Sequence, residues 1–123
     1  MIAAVWRSFG WAFEGIGHTW KTQLNFRIHV TISSVVVVAA LWLRVPPRDW
    51  AVLALTIGVV FALELMNTAI EALVDLASPG HHDLARIAKD AAAGAVMVAA
   101  IAAVFVGLFI LGPPLWLRLT GGV

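Results

Sequence analysis

The chain has 123 residues, 62% of them hydrophobic and 12% charged, with no cysteine and a formal net charge of +1. Soluble domains carry about 25% charged and about 45–50% apolar residues, so this is the composition of a membrane protein, too short for a span plus a separate soluble catalytic domain. Eight Lys and Arg against seven Asp and Glu leave no basic surface for nucleic acid, and without Cys there are no disulfides, thiolate metal sites or cysteine nucleophiles.

Residues 1–26 are predicted to form an interfacial amphipathic helix. Trp6, Phe9, Phe13, Ile16 and Trp20 recur at helical spacing, with Arg7, Glu14, His18 and Lys21 off that stripe, which suits a helix lying in the plane of the membrane surface. The same stretch has no apolar core before a cleavage-like site, so it does not read as a signal peptide. Residues 28–45 are expected to form the first membrane helix. Positions 30–43 are uncharged and rich in Val and Leu, and Pro46-Pro47 stops the run by removing backbone donors and pushing the preceding residue out of the helical region. Residues 50–76 form the second membrane helix, about 40 Å long at 1.5 Å per residue, which Ser78-Pro79-Gly80 breaks. Residues 83–112 form the third, with a charged first part and a 22-residue uncharged run, 91–112, ending at Pro113-Pro114. The expected fold is therefore all-α and integral to the membrane: an N-terminal interfacial helix and three transmembrane helices in a single unit.

Trp42, Trp50 and Trp116 fall near span ends on one side, as an aromatic belt would place them. With three spans, Arg7, Lys21, Arg27, Arg86 and Lys89 share a side, opposite Arg44, Arg48 and Arg118. The positive-inside rule then puts the N-terminus and the second loop in the cytoplasm.

The chemistry concentrates on the second membrane helix. Glu64, Asn67, Glu71 and Asp75 follow at steps of three, four and four, so they fall within an arc of about 80° on one helix face. A charged residue within a span costs at least about 2.5–3.5 kcal/mol on insertion scales, so ionisable residues there face a bundle interior and mark function. Asp75 is read either as part of this site or as a solvated helix-end charge. Glu64, about 16 Å deeper along the helix, is the stronger functional candidate.

Asp83, Arg86, Lys89 and Asp90 open the third membrane helix. Beside three carboxylates they form either a neutralising ion-pair network or a polyphosphate site, in which carboxylates hold Mg²⁺ together with substrate phosphates and a Lys stabilises phosphate charge. A P-loop motif and a glycine-rich kinase loop are both absent. His81 and His82 are either phosphate contacts or plain loop residues. His18 and His29 have no carboxylate or Cys at ligand spacing, so no zinc site is expected.

Glu64-Leu-Met-Asn67-Thr-Ala-Ile-Glu71-Ala-Leu-Val-Asp75, followed by Ala88-Lys89-Asp90, resembles the signature of the small prokaryotic diacylglycerol kinases, from about Ser8 to Leu111. Asn25-Phe26-Arg27-Ile28-His29 and the run from Ala85 through Lys89-Asp90 to Gly94 look more like the undecaprenol-kinase branch. The resemblance implies a homotrimer in the inner (plasma) membrane that transfers the γ-phosphate of MgATP to a lipid hydroxyl on the cytoplasmic side, with undecaprenol favoured over diacylglycerol. By the same resemblance Glu64 is the general base and Glu71 a metal ligand. Asn67 and Asp75 organise the nucleotide site, Lys89 and Asp90 contact the nucleotide, and Trp11 is the aromatic that meets it. His82 is carried with this nucleotide-binding set. Gln23 stands where a second metal-ligating Glu is expected. Its neutral oxygen implies weaker or rearranged Mg²⁺ binding, with Glu14 or Asp90 as compensators. Ala4 stands where an Arg is expected, with Arg7 as a stand-in.

Two other functions fit the residues alone. Intramembrane carboxylates also mark proton or cation paths, so Glu64 and Glu71 could line a small oligomeric carrier. A cation path gains little from Lys89 at its mouth, whereas a triphosphate site gains directly. A purely structural membrane subunit is the remaining option, and Glu64 within a span argues against it.

Overall fold

The computed structural model describes residues 1–121. They form four helices in the order α1 (Ile2–Thr22), α2 (Leu24–Leu43), α3 (Pro47–Ala77) and α4 (Asp83–Leu119), with no strand among the described residues. The last three are long and apolar enough to cross a membrane. The all-α, three-span architecture expected from the sequence is the one observed.

The helix ends differ from the expected ones for local reasons. α1 stops at Thr22, and Gln23 takes an extended conformation (φ −107°, ψ 111°), its N–H bonding the Thr19 carbonyl at 2.8 Å. Residues 24–26 therefore belong to α2 and not to the interfacial helix. Phe26, just past this elbow, lies six residues after Trp20 and so off the three- and four-residue spacing of the aromatic stripe. It is buried, edge-on to Trp20 at 6.5 Å and to Phe61 of α3 at 5.4 Å. Edge-to-face contacts at this range add about 0.5–1.5 kcal/mol to the burial itself, and here they dock the elbow on α3.

At the other end, α2 terminates at Leu43 because Arg44 adopts the left-handed conformation (φ 54°, ψ 47°). The Arg44 and Val45 N–H groups return to the Leu41 and Ala40 carbonyls, each at 3.2 Å, which satisfies orphan acceptors of the last turn. Pro47 then occupies the first helical position of α3, where its missing N–H costs nothing and its fixed φ suits the helix. α3 thus begins at Pro47, earlier than the expected residue 50. Ala40, Leu43, Val45 and Leu53 form a buried cluster at this end, with Val106, Ile110 and Leu111 of α4 packed against it.

α4 continues through Pro113 and Pro114 to Leu119 and does not stop at Gly112. Two backbone donors are lost there, but neighbouring packing can hold such a segment helical. Arg118 lies over the Trp42 ring, 4.9 Å from its centroid, and ties the turns beyond the prolines to the end of α2. α3 packs chiefly on α4, while α1 rests on α2 and α3. Trp6, Phe9, Phe13 and Trp20 stay exposed along α1, the surface an interfacial helix offers to lipid.

Candidate functional site

The expected stripe on α3 exists, and each of its carboxylates meets a partner from a different element. Outermost, Asp75 pairs with Lys89 of α4. One turn deeper, Glu71 is bonded through both oxygens: Gln23 Nε2 donates to Oε2 at 3.0 Å and Asn67 Nδ2 donates to Oε1 at 2.9 Å. Deepest, Glu64 is 2% exposed, and its Oε1 lies 3.3 Å from His29 Nε2 of α2. That contact is not aligned as a hydrogen bond, so Glu64 Oε1 remains buried without one. The helical repeat accounts for the alignment, and α2, α4 and the elbow supply the partners.

The outer end opens into a cavity of about 270 Å³, lined by Asp75, His82, Arg86, Lys89 and Asp90 among others. Two ion pairs occur at this end, as either reading of these residues requires: besides Lys89–Asp75, Arg86 Nη1 bonds Asp90 Oδ2 at 3.1 Å one helical turn away. These groups are largely exposed, so water screens the pairs and they can exchange one partner for another. His82 has a defined local role, because its Nδ1 accepts the Leu84 N–H at 3.1 Å and caps the N-terminus of α4. A cap of this kind orients the first turn of α4, on which Arg86 lies.

Gln23 and Glu71, the two expected metal ligands, are brought into direct contact. No group of three or more His, Asp or Glu is arranged to hold a metal among the described residues. The oxygens at hand are one carboxylate and two amides, Asn67 Oδ1 being buried without a hydrogen-bond partner. With the two amides rotated, their oxygens would stand beside the Glu71 carboxylate, a hard-oxygen donor set of the kind that suits Mg²⁺ shared with substrate phosphates. Of the two expected compensators, Asp90 is paired with Arg86, and Glu14 is exposed on α1 with no ion pair among the described residues. Trp11 is 66% exposed and does not line the cavity at the outer end of the stripe.

The sequence reading missed His29. No carboxylate lies at ligand spacing from it along the chain, but Glu64 is brought across to it from α3. Its place in the Asn25-Phe26-Arg27-Ile28-His29 segment, a few residues inside the start of α2, was the available signal.

A model of the prokaryotic diacylglycerol kinase family matches residues 10–111 of the chain. Among curated proteins, a diacylglycerol kinase from Synechocystis is 51% identical over 109 residues, covering 88% of this chain and 62% of the relative. This chain therefore spans less than two thirds of that relative's length. An undecaprenol kinase from Bacillus subtilis is 43% identical, covering 89% of each chain. A diacylglycerol kinase from Escherichia coli K12 is 33% identical, covering 80% of each.

Proposed function

The chain belongs to the prokaryotic diacylglycerol kinase family, a family of lipid kinases, and from that premise we propose that it transfers the γ-phosphate of MgATP to the hydroxyl of a membrane lipid alcohol, undecaprenol in preference to diacylglycerol. The observation that carries the mechanism is the depth order along one face of α3. Asp75 sits at the open end with Lys89, Glu71 lies in the middle with two amides, and Glu64 is buried with an unbonded oxygen.

A water-soluble nucleotide approaches from the open cavity, and a lipid hydroxyl approaches from within the bilayer. Lys89 exchanges Asp75 for a phosphate oxygen, with Asp90, Arg86 and His82 bordering the same cavity. Glu71, with the amide oxygens of Gln23 and Asn67, would hold the Mg²⁺ that neutralises phosphate charge. Glu64 is two helical turns, about 10 Å, below Glu71, which leaves room for the transferring phosphoryl group between them. It takes the acceptor proton as general base. Phosphoryl transfer asks little covalent chemistry of a protein beyond positioning, charge stabilisation and a base, so a small helical scaffold suffices.

The preference for undecaprenol is supported by an apolar groove of about 390 Å³ between α2, α3 and α4. One groove suits one isoprenoid chain, whereas diacylglycerol brings two acyl chains. The excess of Lys and Arg on the α1 and α3–α4 side supports a cytoplasmic active site in the inner membrane. Exposed apolar faces along the spans are compatible with a homotrimer in lipid.

The test is incubation of detergent-purified protein with labelled ATP, Mg²⁺ and a panel of lipid alcohols. Label in the phospholipid fraction, strongest with undecaprenol, is the expected result. Ion flux without consumption of ATP would instead establish a cation path along Glu64 and Glu71.

A further inference from the structure

The groove and the buried carboxylate share one wall. The groove runs along α4 from Ala100 to Leu115, about 22 Å at 1.5 Å per residue, and its lining is apolar except for His29, Ser33 and Thr56. Thr56 spends its hydroxyl on the Val52 carbonyl at 2.8 Å. His29 lines the groove on one side and faces Glu64 Oε1 at 3.3 Å on the other. Its side chain is 22% exposed, whereas that of Glu64 is 3% exposed. A chain lying in the groove therefore meets the imidazole on its way to the carboxylate.

We propose that His29 is the positioning residue for the acceptor: it holds the hydroxyl of a single-chain lipid alcohol seated in this groove against Glu64 Oε1. The assignment rests on the lipid-kinase reading of Glu64 above and adds to it the residue that receives the acceptor and the shape of acceptor admitted. A neutral imidazole has one N–H and one lone pair, and a hydroxyl has one hydrogen and two lone pairs. With Nε2 carrying the hydrogen, His29 donates to one lone pair of the alcohol oxygen, and the alcohol hydrogen points to Glu64 Oε1. The second lone pair is left for phosphorus. In the transfer the O–H proton passes to Glu64 Oε1 and the bond from the alcohol oxygen to Pγ forms. The bond from Pγ to the bridging oxygen breaks, its electron pair leaving on ADP. His29 gains and loses no proton in this step, so it acts by orientation.

Gly107 offers an independent handle on the groove. It lines the cavity on α4, and a Cβ added there meets no atom within 4 Å, so side-chain volume can be added from a position that borders the groove.

The experiment compares wild type, His29→Leu, His29→Gln and Gly107→Leu, purified in detergent, with undecaprenol, a short-chain prenol and ATP as varied substrates. His29→Leu is expected to lower kcat/KM for undecaprenol by about tenfold or more while KM for ATP stays within about twofold. His29→Gln, whose amide N–H reaches near the position of Nε2, recovers most of that loss. Gly107→Leu penalises undecaprenol about tenfold or more and spares the short prenol. The proposal is overturned if His29→Leu keeps wild-type kcat/KM, if the Gln variant is no better than Leu, or if KM for ATP moves as much as that for the alcohol. Should His29→Leu not fold, the other two variants decide: the proposal is overturned if His29→Gln moves KM for ATP as much as that for the alcohol, or if Gly107→Leu penalises the short prenol as much as undecaprenol. Wild-type protein that phosphorylates no alcohol removes the kinase reading together with this one, whereas active wild type with unaffected variants removes only the role of His29.

Discussion

Gln23, the single residue between α1 and α2, donates its side-chain amide to Glu71 of α3 across 3.0 Å, joining positions 48 apart in the chain. The elbow that separates the interfacial helix from the first span is therefore also a wall of the site. The site needs the extended conformation of Gln23 as much as its side chain.

Replacing Gln23 by Glu puts a second carboxylate against Glu71. Without a cation the like charges repel and a hydrogen bond to a charged group is lost, which is worth about 1.5–3 kcal/mol. The variant is expected to melt at lower temperature than wild type in EDTA, to gain more from added Mg²⁺, and to reach half-maximal activity at lower Mg²⁺. Thermal unfolding and an activity titration with Mg²⁺ measure both. An unchanged Mg²⁺ requirement would move the metal away from Gln23.

Glu64→Gln keeps size and hydrogen-bonding capacity but takes up no proton. Turnover is expected to fall by about 10²-fold or more, the lower range for loss of a general base, with KM for ATP unchanged. Steady-state kinetics with ATP and the lipid alcohol varied separately decide it, and near-wild-type turnover removes Glu64 from the mechanism.

Lys89→Met retains the apolar stem and removes the charge that pairs with Asp75. A charged hydrogen bond to phosphate is worth about 1.5–3 kcal/mol, so KM for ATP should rise by about 10- to 100-fold while KM for the lipid alcohol stays nearly constant. A change confined to the lipid dependence would place Lys89 on the acceptor side and contradict the depth order along α3.

Phe26→Ala removes the ring that joins Trp20 to Phe61. Truncation of a buried Phe costs about 3–5 kcal/mol in well-packed sites, and here the loss falls on the docking of the elbow. The melting temperature should drop, and the Mg²⁺ requirement should rise because Gln23 no longer rests on Glu71. Unaltered Mg²⁺ dependence in a folded variant would show that α1 and α2 hold Gln23 in place without this ring.

The sequence by itself determined the fold class, because runs of apolar residues long enough to cross a bilayer leave a chain few options: every backbone polar group must be satisfied within the segment, and helices do this. It also determined that Glu64, Asn67, Glu71 and Asp75 share a face, since that follows from the helical repeat alone. The ends of the helices and the partners of the carboxylates were decided by tertiary contacts. Gln23 breaks the helix where Phe26 turns inward against Phe61, and α4 runs past two prolines to where Arg118 meets Trp42. His29 reaches Glu64 only because α2 lies beside α3. Spacing along one helix is a local property fixed by backbone geometry, whereas the meeting of side chains from separate helices depends on how those helices pack, and no local pattern in the sequence encodes that distance.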